Sequence, residues 1–347
     1  MKNYFKGKSV LITGASGSIG SALLKSLIQN HNCKVIRALS NDENGLFELN
    51  QELLTPDIKN KKNFSAFKNA MKKNKIRILY GDVRDYRRCI EATRKIDIII
   101  HAAAVKHVPI CQYNPKEATK TNFLGTKNIC KAAIKNKVKK FLLISTDKVV
   151  NPTSIMGETK LKAEKLVLNY NKNSSTKFSC IRFGNVVGSR GSVIPLFIKQ
   201  IKKKKYITVT DKNMTRFFML INSAVKLIKE SISLMRGNEI FILKSMRSFK
   251  VFDLAVVLKS ILKSKSKIKL IGIKEGEKFS ESLFTKEESE YLYDNEKLLI
   301  ISRNYSAKKM KNFYNAIKVI KKDIYRSDNQ NFLMSKKSLK NFLKKEI

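Results

Sequence analysis

Nearly continuous apolar runs alternate with amphipathic segments over the first half of the chain. The runs are KSVLITG, KVIRALS, IRILYGDVRD, DIIIHAAA, KKFLLIS and FSCIRFG, each rich in Val, Ile, Leu or Phe. Such runs are typical of strands buried on both faces of a parallel sheet. Apolar positions at helical spacing between them predict crossover helices, including a helix with a Lys-rich loop over 43–75. The alternation predicts an α/β fold, a Rossmann-like doubly wound parallel sheet.

Beyond about residue 185 this regular alternation loosens. The short apolar segments YITVT, EIFIL and IKLIGI are separated by the helical patterns SAVKLIKESISLM and KVFDLAVVLKSIL. We predict a dinucleotide-binding Rossmann domain over 1–185 and a smaller C-terminal α/β lobe over 186–305, which binds substrate and is interleaved with the first domain. Residues 306–347 are predicted to form a Lys-rich helical tail.

Composition argues against several broad classes of protein. With 43% hydrophobic residues in a chain of 347, a large core is expected and global disorder is not. The longest apolar runs are too short to cross a bilayer, and no signal peptide precedes the first strand, which predicts a cytoplasmic protein without a membrane partner. The five cysteines and three histidines lack the spacing of metal ligands, so no metal site is predicted.

The formal net charge of +43 would suit a nucleic-acid-binding protein. The lysines are spread along the whole chain, as in IKKKKY and KSILKSKSK, rather than gathered into one stripe. We therefore predict no nucleic-acid partner. A basic surface would equally attract an anionic nucleotide substrate, so the charge discriminates poorly between these functions.

The strand-to-helix turn LITGASGSIG has glycines at the spacing G-x-x-G-x-x-G. Glycines there allow a tight bend, close approach of a pyrophosphate and packing of the helix on the sheet, while the helix N-terminus attracts phosphates. A glycine pattern alone also occurs in ordinary turns, but here a strand and a helix flank it in the right order. The turn residues predicted to bind a dinucleotide are Gly14, Ser16, Gly17, Ser18, Ile19 and Gly20.

Two further segments agree with a dinucleotide site. Asp82 and Val83 follow the third strand, where they would flank the adenine. Ala102 and Ala103 end the fourth strand, where small side chains would leave room for the cofactor, although tight packing explains them as well. All four residues are therefore predicted to contact the cofactor.

The choice between NAD and NADP depends on the end of the second strand. An acid at this point favours the ribose hydroxyls of NAD, whereas a basic side chain favours the 2′-phosphate of NADP. Ser40 ends the strand and is predicted to contact the cofactor, Asp42 follows it, and Arg37 lies earlier in the strand. This mixed signal leaves both cofactors open; we predict NADP, with NAD as the alternative.

The chain reads STDK directly after the fifth strand. Thr146, Asp147 and Lys148 are therefore predicted at the carboxyl edge of the sheet, where substrates bind in open α/β folds. They are candidate catalytic residues, and simple capping of the following loop is the alternative. Lys160 is in register for the Tyr-x-x-x-Lys pair of short-chain dehydrogenases and is predicted to hold the nicotinamide ribose, but the tyrosine position is Met156.

Several longer stretches are specific: LITGASGSIG, GDVRD, HAAAVKHVPICQYNP, TNFLGT, STDKVVNPTSIMGETK, RFGNVVGSRGSVIPLF and DKNMTRFFM. In these stretches, from residue 9 to about 280, the chain resembles the UDP-N-acetylglucosamine 4,6-dehydratase branch of the extended short-chain dehydrogenases, the polysaccharide biosynthesis proteins. It resembles a variant of that branch in which methionine replaces the tyrosine.

The resemblance implies a homo-oligomeric lyase that converts UDP-N-acetylglucosamine to a 4-keto-6-deoxy sugar for surface polysaccharide or glycan synthesis, with carbon 5 retained or inverted. Hydride would leave carbon 4 and return to carbon 6, so no net oxidation occurs. It also implies that Thr146 contacts the 4-oxygen, Asp147 is the acid at the 6-hydroxyl and Lys148 is the base at carbon 5. A lysine base needs a lowered pKa, which we expect from burial or from nearby Lys160.

By the same resemblance, Lys106 and Asn185 are expected to contact substrate. Arg216 is expected to pair with the diphosphate, since a guanidinium suits phosphate geometry, and a surface ion pair is the alternative. Two other functions stay open: a UDP-sugar 4-epimerase, which has no use for a Thr-Asp-Lys set and normally needs the tyrosine, and a non-catalytic nucleotide-binding protein.

The chain departs from the family pattern at two positions. Because Met156 replaces the tyrosine, the proton of the 4-hydroxyl must leave by another path, and we expect a water or relay held by Thr146. In GEKFSES, Ser280 replaces the usual histidine, which weakens the case for contacts from that loop, although Glu277, Lys278 and Glu281 match the family.

Overall fold

The computed structural model describes residues 4–54, 65, 69–70, 73–319 and 325–346. Within them, a ten-stranded sheet is accompanied by two small sheets. The strands in chain order are β1 (Ser9–Thr13), β2 (Val35–Ser40), β3 (Ile76–Tyr80), β4 (Ile98–His101), β5 (Lys140–Thr146), β6 (Lys177–Phe183), β7 (Asn185–Val186), β8 (Ile207–Val209), β9 (Thr215–Met219), β10 (Ile240–Leu243), β11 (Arg247–Lys250), β12 (Ile268–Leu270), β13 (Leu292–Asp294), β14 (Leu298–Ile301) and β15 (Ile317–Lys318).

Helices connect most of these strands. The α-helices in chain order are α1 (Ser18–Asn30), α2 (Glu43–Leu54), α3 (Tyr86–Thr93), α4 (Val108–Tyr113), α5 (Pro115–Thr119), α6 (Thr126–Lys135), α7 (Ile155–Asn169), α8 (Val193–Lys202), α9 (Ile221–Leu234), α10 (Val251–Ile261), α11 (Lys286–Ser289), α12 (Ala307–Tyr314) and α13 (Lys336–Glu346). A π-helical turn, Lys120–Gly125, leads into α6, and Asp147–Val149 forms a 3₁₀ turn after β5. Within the described ranges no helix has both the length and the apolar character needed to cross a bilayer.

The large sheet has the strand order β15-β13-β14-β10-β6-β5-β4-β1-β2-β3. Every neighbouring pair from β10 to β3 is parallel. The strands β14, β13 and β15 are added to this sheet in antiparallel fashion. The prediction of an α/β fold with a Rossmann-like doubly wound parallel sheet is confirmed, and all six predicted strands of the first half are present.

The second half of the chain contributes both to this sheet and to the small ones. The strands β10, β13, β14 and β15 join the large sheet, whereas β11-β9-β7 and β12-β8 form the two small sheets. The domain boundaries at 185 and 305 stay predictions. The segment predicted as a helical tail contains strand β15 as well as α12 and α13. Parts of the predictions for 43–75 and 306–347 lie outside the described residues, at 55–64, 66–68, 71–72, 320–324 and 347.

Two apolar layers cover the two faces of the large sheet. Side chains alternate along β1, so that Val10 and Ile12 pack with Leu24 of α1 in one layer, while Leu11 packs with Ile129 of α6 in the other. Burial on both faces is the reason that β1 reads as a continuous apolar run. A third apolar cluster joins α8, α10 and α13 to the small sheets, beside the site described next.

Candidate active site

A cavity of about 990 Å³ opens at the carboxyl edge of the large sheet. Ligand sites are commonly about 300–1,000 Å³ and lie at this edge in open α/β folds. The predicted site residues that line the cavity are Gly14, Ser16, Gly17, Ser18, Ile19, Gly20, Ser40, Asp82, Val83, Ala102, Ala103, Lys106, Thr146, Lys148, Lys160, Asn185 and Arg216. Asp147, the remaining predicted residue, is fully buried just behind this surface.

The glycine-rich turn between β1 and α1 forms one end of the cavity. Gly14 has φ +67°, which residues with a Cβ rarely adopt, and a Cβ there would lie 2.7 Å from the backbone nitrogen of Ala103. A Cβ on Gly20 would overlap the carbonyl oxygen of Gly14. The turn therefore packs closely on the end of β4 and leaves the N-terminus of α1, at Ser18, facing the cavity. This arrangement suits a pyrophosphate, because free N–H groups and the helix dipole attract anions.

Hydroxyl and carboxyl groups meet at the end of β2. The hydroxyls of Ser16 and Ser40 are hydrogen-bonded at 2.8 Å, and the Ser16 hydroxyl donates to Asp42 Oδ2 at 3.2 Å. Arg37 does not line the cavity; its guanidinium donates instead to backbone carbonyls of α3, including that of Ala92 at 2.8 Å. The local sequence at the end of β2 therefore supplies an acid and no basic side chain.

A basic side chain reaches the end of β2 from a distant segment. The Arg190 guanidinium donates to Asp42 Oδ2 at 3.4 Å and to Glu48 Oε2 at 2.9 Å. Its backbone N–H donates to the Ser18 hydroxyl at 3.0 Å, and its carbonyl accepts from Lys106 Nζ at 2.7 Å. Burial lowers the pKa of Lys106. Arg190 is not among the predicted site residues, and its place in the family stretch GSRGS is the only signal that pointed to it.

The three residues after β5 form a hydrogen-bonded group. The Thr146 hydroxyl donates to Asp147 Oδ1 at 3.0 Å, and Lys148 Nζ donates to the same oxygen at 2.9 Å. Lys148 Nζ also donates to Asn185 Oδ1 at 3.2 Å. Asp147 Oδ2 is buried and has no hydrogen-bond partner among the described residues. Buried polar atoms are normally paired, so this unpaired carboxylate oxygen is unusual in a folded protein.

The expectation that Lys148 has a lowered pKa is wrong. Burial alone would lower the pKa of Lys148, but the carboxylates of Asp147 at 2.9 Å and Glu281 at 3.5 Å together outweigh it, so the pKa is raised. Arg216 opposes this rise only in part. Lys148 is therefore an ammonium group in the protein without substrate.

Lys160 is the lysine of the site whose pKa is strongly lowered. Its helix α7 begins after Ser154, whose hydroxyl accepts from the Gly157 N–H at 3.2 Å and so caps the first turn. This start places Met156 and Lys160 on the face that lines the cavity. Lys160 Nζ donates to the Ile144 carbonyl at 2.6 Å, and burial lowers its pKa to about 8.

Glu281 lines the cavity although it is not among the predicted site residues. Its side chain is 2% exposed, and Oε1 lies 3.5 Å from Lys148 Nζ and 3.9 Å from Arg216 Nε. Its other oxygen, Oε2, lies 3.7 Å from Lys278 Nζ. The sequence could have indicated Glu281 as a site residue, because this glutamate matches the family pattern. The departure from that pattern at Ser280, the residue before it, drew attention away from the match.

Known proteins resemble this chain over most of its length. The family model described as "Polysaccharide biosynthesis protein" matches residues 10–303. A "UDP-N-acetylglucosamine 4,6-dehydratase (inverting)" of Campylobacter jejuni is 40% identical over 302 residues, 86% of this chain and 84% of that protein. A "UDP-glucose 4-epimerase" of Rickettsia canadensis is 40% identical over 290 residues, 82% of this chain and 80% of that protein. The X-ray structure of Pen from Bacillus thuringiensis is 39% identical, covers 99% of both chains and superposes with a TM-score of 0.87. The chain belongs to the polysaccharide biosynthesis protein family.

Proposed function

We propose that the protein is a nucleotide-sugar 4,6-dehydratase that acts on UDP-N-acetylglucosamine. The observation that carries this proposal is the Asp147–Lys148 pair, joined at 2.9 Å with Asp147 fully buried, beside a cavity that also contains a glycine-rich turn suited to a pyrophosphate. A dehydration needs an acid and a base side by side, whereas a simple oxidation does not. The Campylobacter relative, named as an inverting dehydratase, supports the same reaction and suggests inversion at carbon 5.

The cofactor we propose is a nicotinamide dinucleotide, with its pyrophosphate on the N-terminus of α1 and its nicotinamide ribose on Lys160. When bound, it would supply a reversible acceptor for the hydride of carbon 4. We favour NADP over NAD, because the Arg190 guanidinium lies at the end of β2, where a 2′-phosphate would need a basic partner. Asp42, which Arg190 contacts, is the residue that would favour NAD instead.

Thr146 and Asp147 offer a path for the first proton in the absence of a tyrosine. We propose that the 4-hydroxyl of the sugar donates to Thr146, whose own hydroxyl already donates to Asp147 Oδ1 at 3.0 Å. Lys160, with a pKa near 8, can exchange a proton with water close to neutral pH. If Met156→Tyr were needed to give activity to an otherwise inert protein, this relay would be wrong.

Asp147 and Lys148 would then carry out the elimination. In the protein without substrate the transferable proton resides on Lys148. Lys148 must release this proton to solvent before its neutral amine can remove the proton at carbon 5. Asp147, which has taken up the 4-hydroxyl proton through Thr146, then donates that proton at the 6-oxygen, so the hydroxyl leaves as water, and Lys148 holds the proton taken from carbon 5. Because the neutral amine is the minor form, kcat/KM should rise with pH from neutral to alkaline solution.

Arg216 is proposed to bind the diphosphate of the substrate. Its Nη1 donates to the carbonyls of Thr215 and Lys278, both at 2.8 Å, so the guanidinium is held in a fixed direction at the cavity wall. A fixed guanidinium matches phosphate geometry better than a flexible ammonium does. Lys106 and Asn185 are proposed to contact the sugar.

The experiment that tests this function is incubation of the purified protein with UDP-N-acetylglucosamine and NADP⁺, followed by NMR of the product. A 4-keto-6-deoxy product without net consumption of cofactor is expected, and its carbon 5 reports inversion or retention. Formation of UDP-N-acetylgalactosamine would instead support the epimerase that the Rickettsia relative suggests. Absence of turnover together with tight nucleotide binding would favour a non-catalytic protein. Lys148→Met should abolish the reaction, whereas the matched control Lys165→Met, at an exposed lysine of α7, should not.

The cytoplasmic location, the homo-oligomeric state and the role in surface polysaccharide or glycan synthesis stay predictions. Light scattering on the purified protein would measure the oligomeric state, and cell fractionation would measure the location. We also propose that the cavity takes a nucleotide sugar rather than nucleic acid, because a cavity of about 990 Å³ beside an acid/base pair suits a small substrate.

A further inference from the structure

Glu281 lies where three cationic side chains from separate places meet. Lys148 follows β5, Arg216 lies in β9, and Lys278 precedes Glu281 in the loop before α11. All four side chains line the cavity, and Glu281 and Arg216 are both buried. A carboxylate this buried is stable only among cations or hydrogen-bond donors, and it gives these cations a shared counter-charge.

The backbone of Glu281 is held by the C-terminal part of the chain. The Glu281 N–H donates to the Ser327 hydroxyl at 2.9 Å, and the Ser327 N–H donates to the Glu281 carbonyl at 2.9 Å. The same hydroxyl is hydrogen-bonded at 2.8 Å to that of Thr215, the residue before Arg216. Ser327 is fully buried, so these bonds are shielded from water. The carboxylate of Glu281 is therefore carried on backbone that is tied to β9.

We propose that Glu281 is a positioning residue, which holds Lys148 between two buried carboxylates, keeps it cationic before the reaction, and fixes Arg216 and Lys278 around the substrate cavity. The inference rests on the proposed function, because the role of Lys148 as the base at carbon 5 is part of that function. Glu281 acts through these three cations. Ser327 supports it although Ser327 itself does not line the cavity.

The charged groups around Lys148 determine the sign of the expected effects. Asp147 faces it from its own segment, Glu281 and Lys278 from the loop before α11, and Arg216 from β9. Replacing Glu281 by a neutral residue leaves Asp147 as the one nearby carboxylate, while Arg216 and Lys278 still repel the charge of Lys148. The pKa of Lys148 should therefore fall. Neutralising Lys278 removes one repelling cation, so Lys148 should hold its proton more tightly. An opposite charge within about 4–6 Å typically changes a pKa by about 1–3.

The direct test is NMR titration of the protein with ¹³C-labelled lysine, in which the Lys148 signal is identified by its loss in Lys148→Arg. We expect Glu281→Gln to lower the pKa of Lys148 by about 1 or more and Lys278→Met to raise it. The control Glu91→Gln removes an exposed carboxylate of α3 and should leave the Lys148 titration unchanged. Ser327→Ala alters no charge and should lower the pKa of Lys148 by less than Glu281→Gln does.

The same variants should move the pH profile of kcat/KM in the direction of the Lys148 titration. An unchanged pKa of Lys148 in Glu281→Gln, or a change of the same sign in Glu281→Gln and Lys278→Met, would overturn the proposal. If Glu281→Gln does not fold, the other two variants still test the proposal, because the pKa of Lys148 should rise in Lys278→Met and fall in Ser327→Ala. The titration needs no substrate, so it tests the positioning role separately from the dehydratase function. If the pKa of Lys148 changed in opposite directions in Glu281→Gln and Lys278→Met but the protein showed no turnover, the positioning role would stand and the proposed dehydratase function would fail.

Discussion

Replacing Lys160 by methionine should make the protein more stable near neutral pH while abolishing its turnover. The Lys160 side chain is only 5% exposed, and its ammonium donates to the Ile144 carbonyl at 2.6 Å. Burial of an ammonium is unfavourable unless it is fully paired, whereas methionine fills a similar volume without a charge. The lysine is therefore expected to be retained for its chemistry at the expense of stability.

The magnitude follows from the pKa of Lys160. Burial lowers it from 10.5 to about 8, a difference that corresponds to about 3 kcal/mol of unfolding free energy. Below about pH 8 both the folded and the unfolded chain bind the proton, so the folded wild type carries the whole penalty. Between about pH 8 and pH 10.5 only the unfolded chain keeps the proton, so the stability of the wild type rises with pH relative to Lys160→Met.

Urea unfolding of both proteins from about pH 7 to pH 10.5, without cofactor or substrate, measures this difference. We expect the advantage of Lys160→Met to be greatest below about pH 8 and to shrink by about 3 kcal/mol by pH 10.5. The control Lys165→Met, an exposed lysine of the same helix, should differ from wild type by the same amount at every pH. A difference between wild type and Lys160→Met that did not change with pH would refute the reasoning.

Three further predictions concern stability, catalysis and the cofactor. Arg182→Met should destabilise the protein by about 3–5 kcal/mol in urea unfolding, because Glu164 and Glu288 lose the buried guanidinium that they share; a loss below about 1 kcal/mol would contradict this. Asp147→Asn should lower turnover of UDP-N-acetylglucosamine about 100-fold to 10,000-fold with an unchanged circular dichroism spectrum, and a loss of less than tenfold would argue against proton transfer. Arg190→Ala should weaken NADPH binding about tenfold in fluorescence titrations, and an equal loss for NADH would exclude a contact with the 2′-phosphate.

The central fold could be predicted because each of its strands is recognisable locally. A strand such as β1, buried on both faces, is apolar at its successive central positions Val10, Leu11 and Ile12, and the alternation of such strands with helices indicates a parallel sheet. The strands added at the far edge were not recognisable in the same way. Strand β15 is exposed and only two residues long, and its pairing with β13 depends on how the rest of the chain packs.

The local sequence determined the parallel sheet, the glycine turn at Gly14 and the adjacency of Asp147 and Lys148, because each depends on the conformation or order of a few neighbouring residues. Only the tertiary structure decided the charge state of Lys148, because Glu281 comes within 3.5 Å of it from a loop far along the chain. The tertiary structure likewise brought Arg190 to Asp42 across 148 residues. Electrostatic effects depend on distance through space and on burial, and neither quantity is present in the order of the residues.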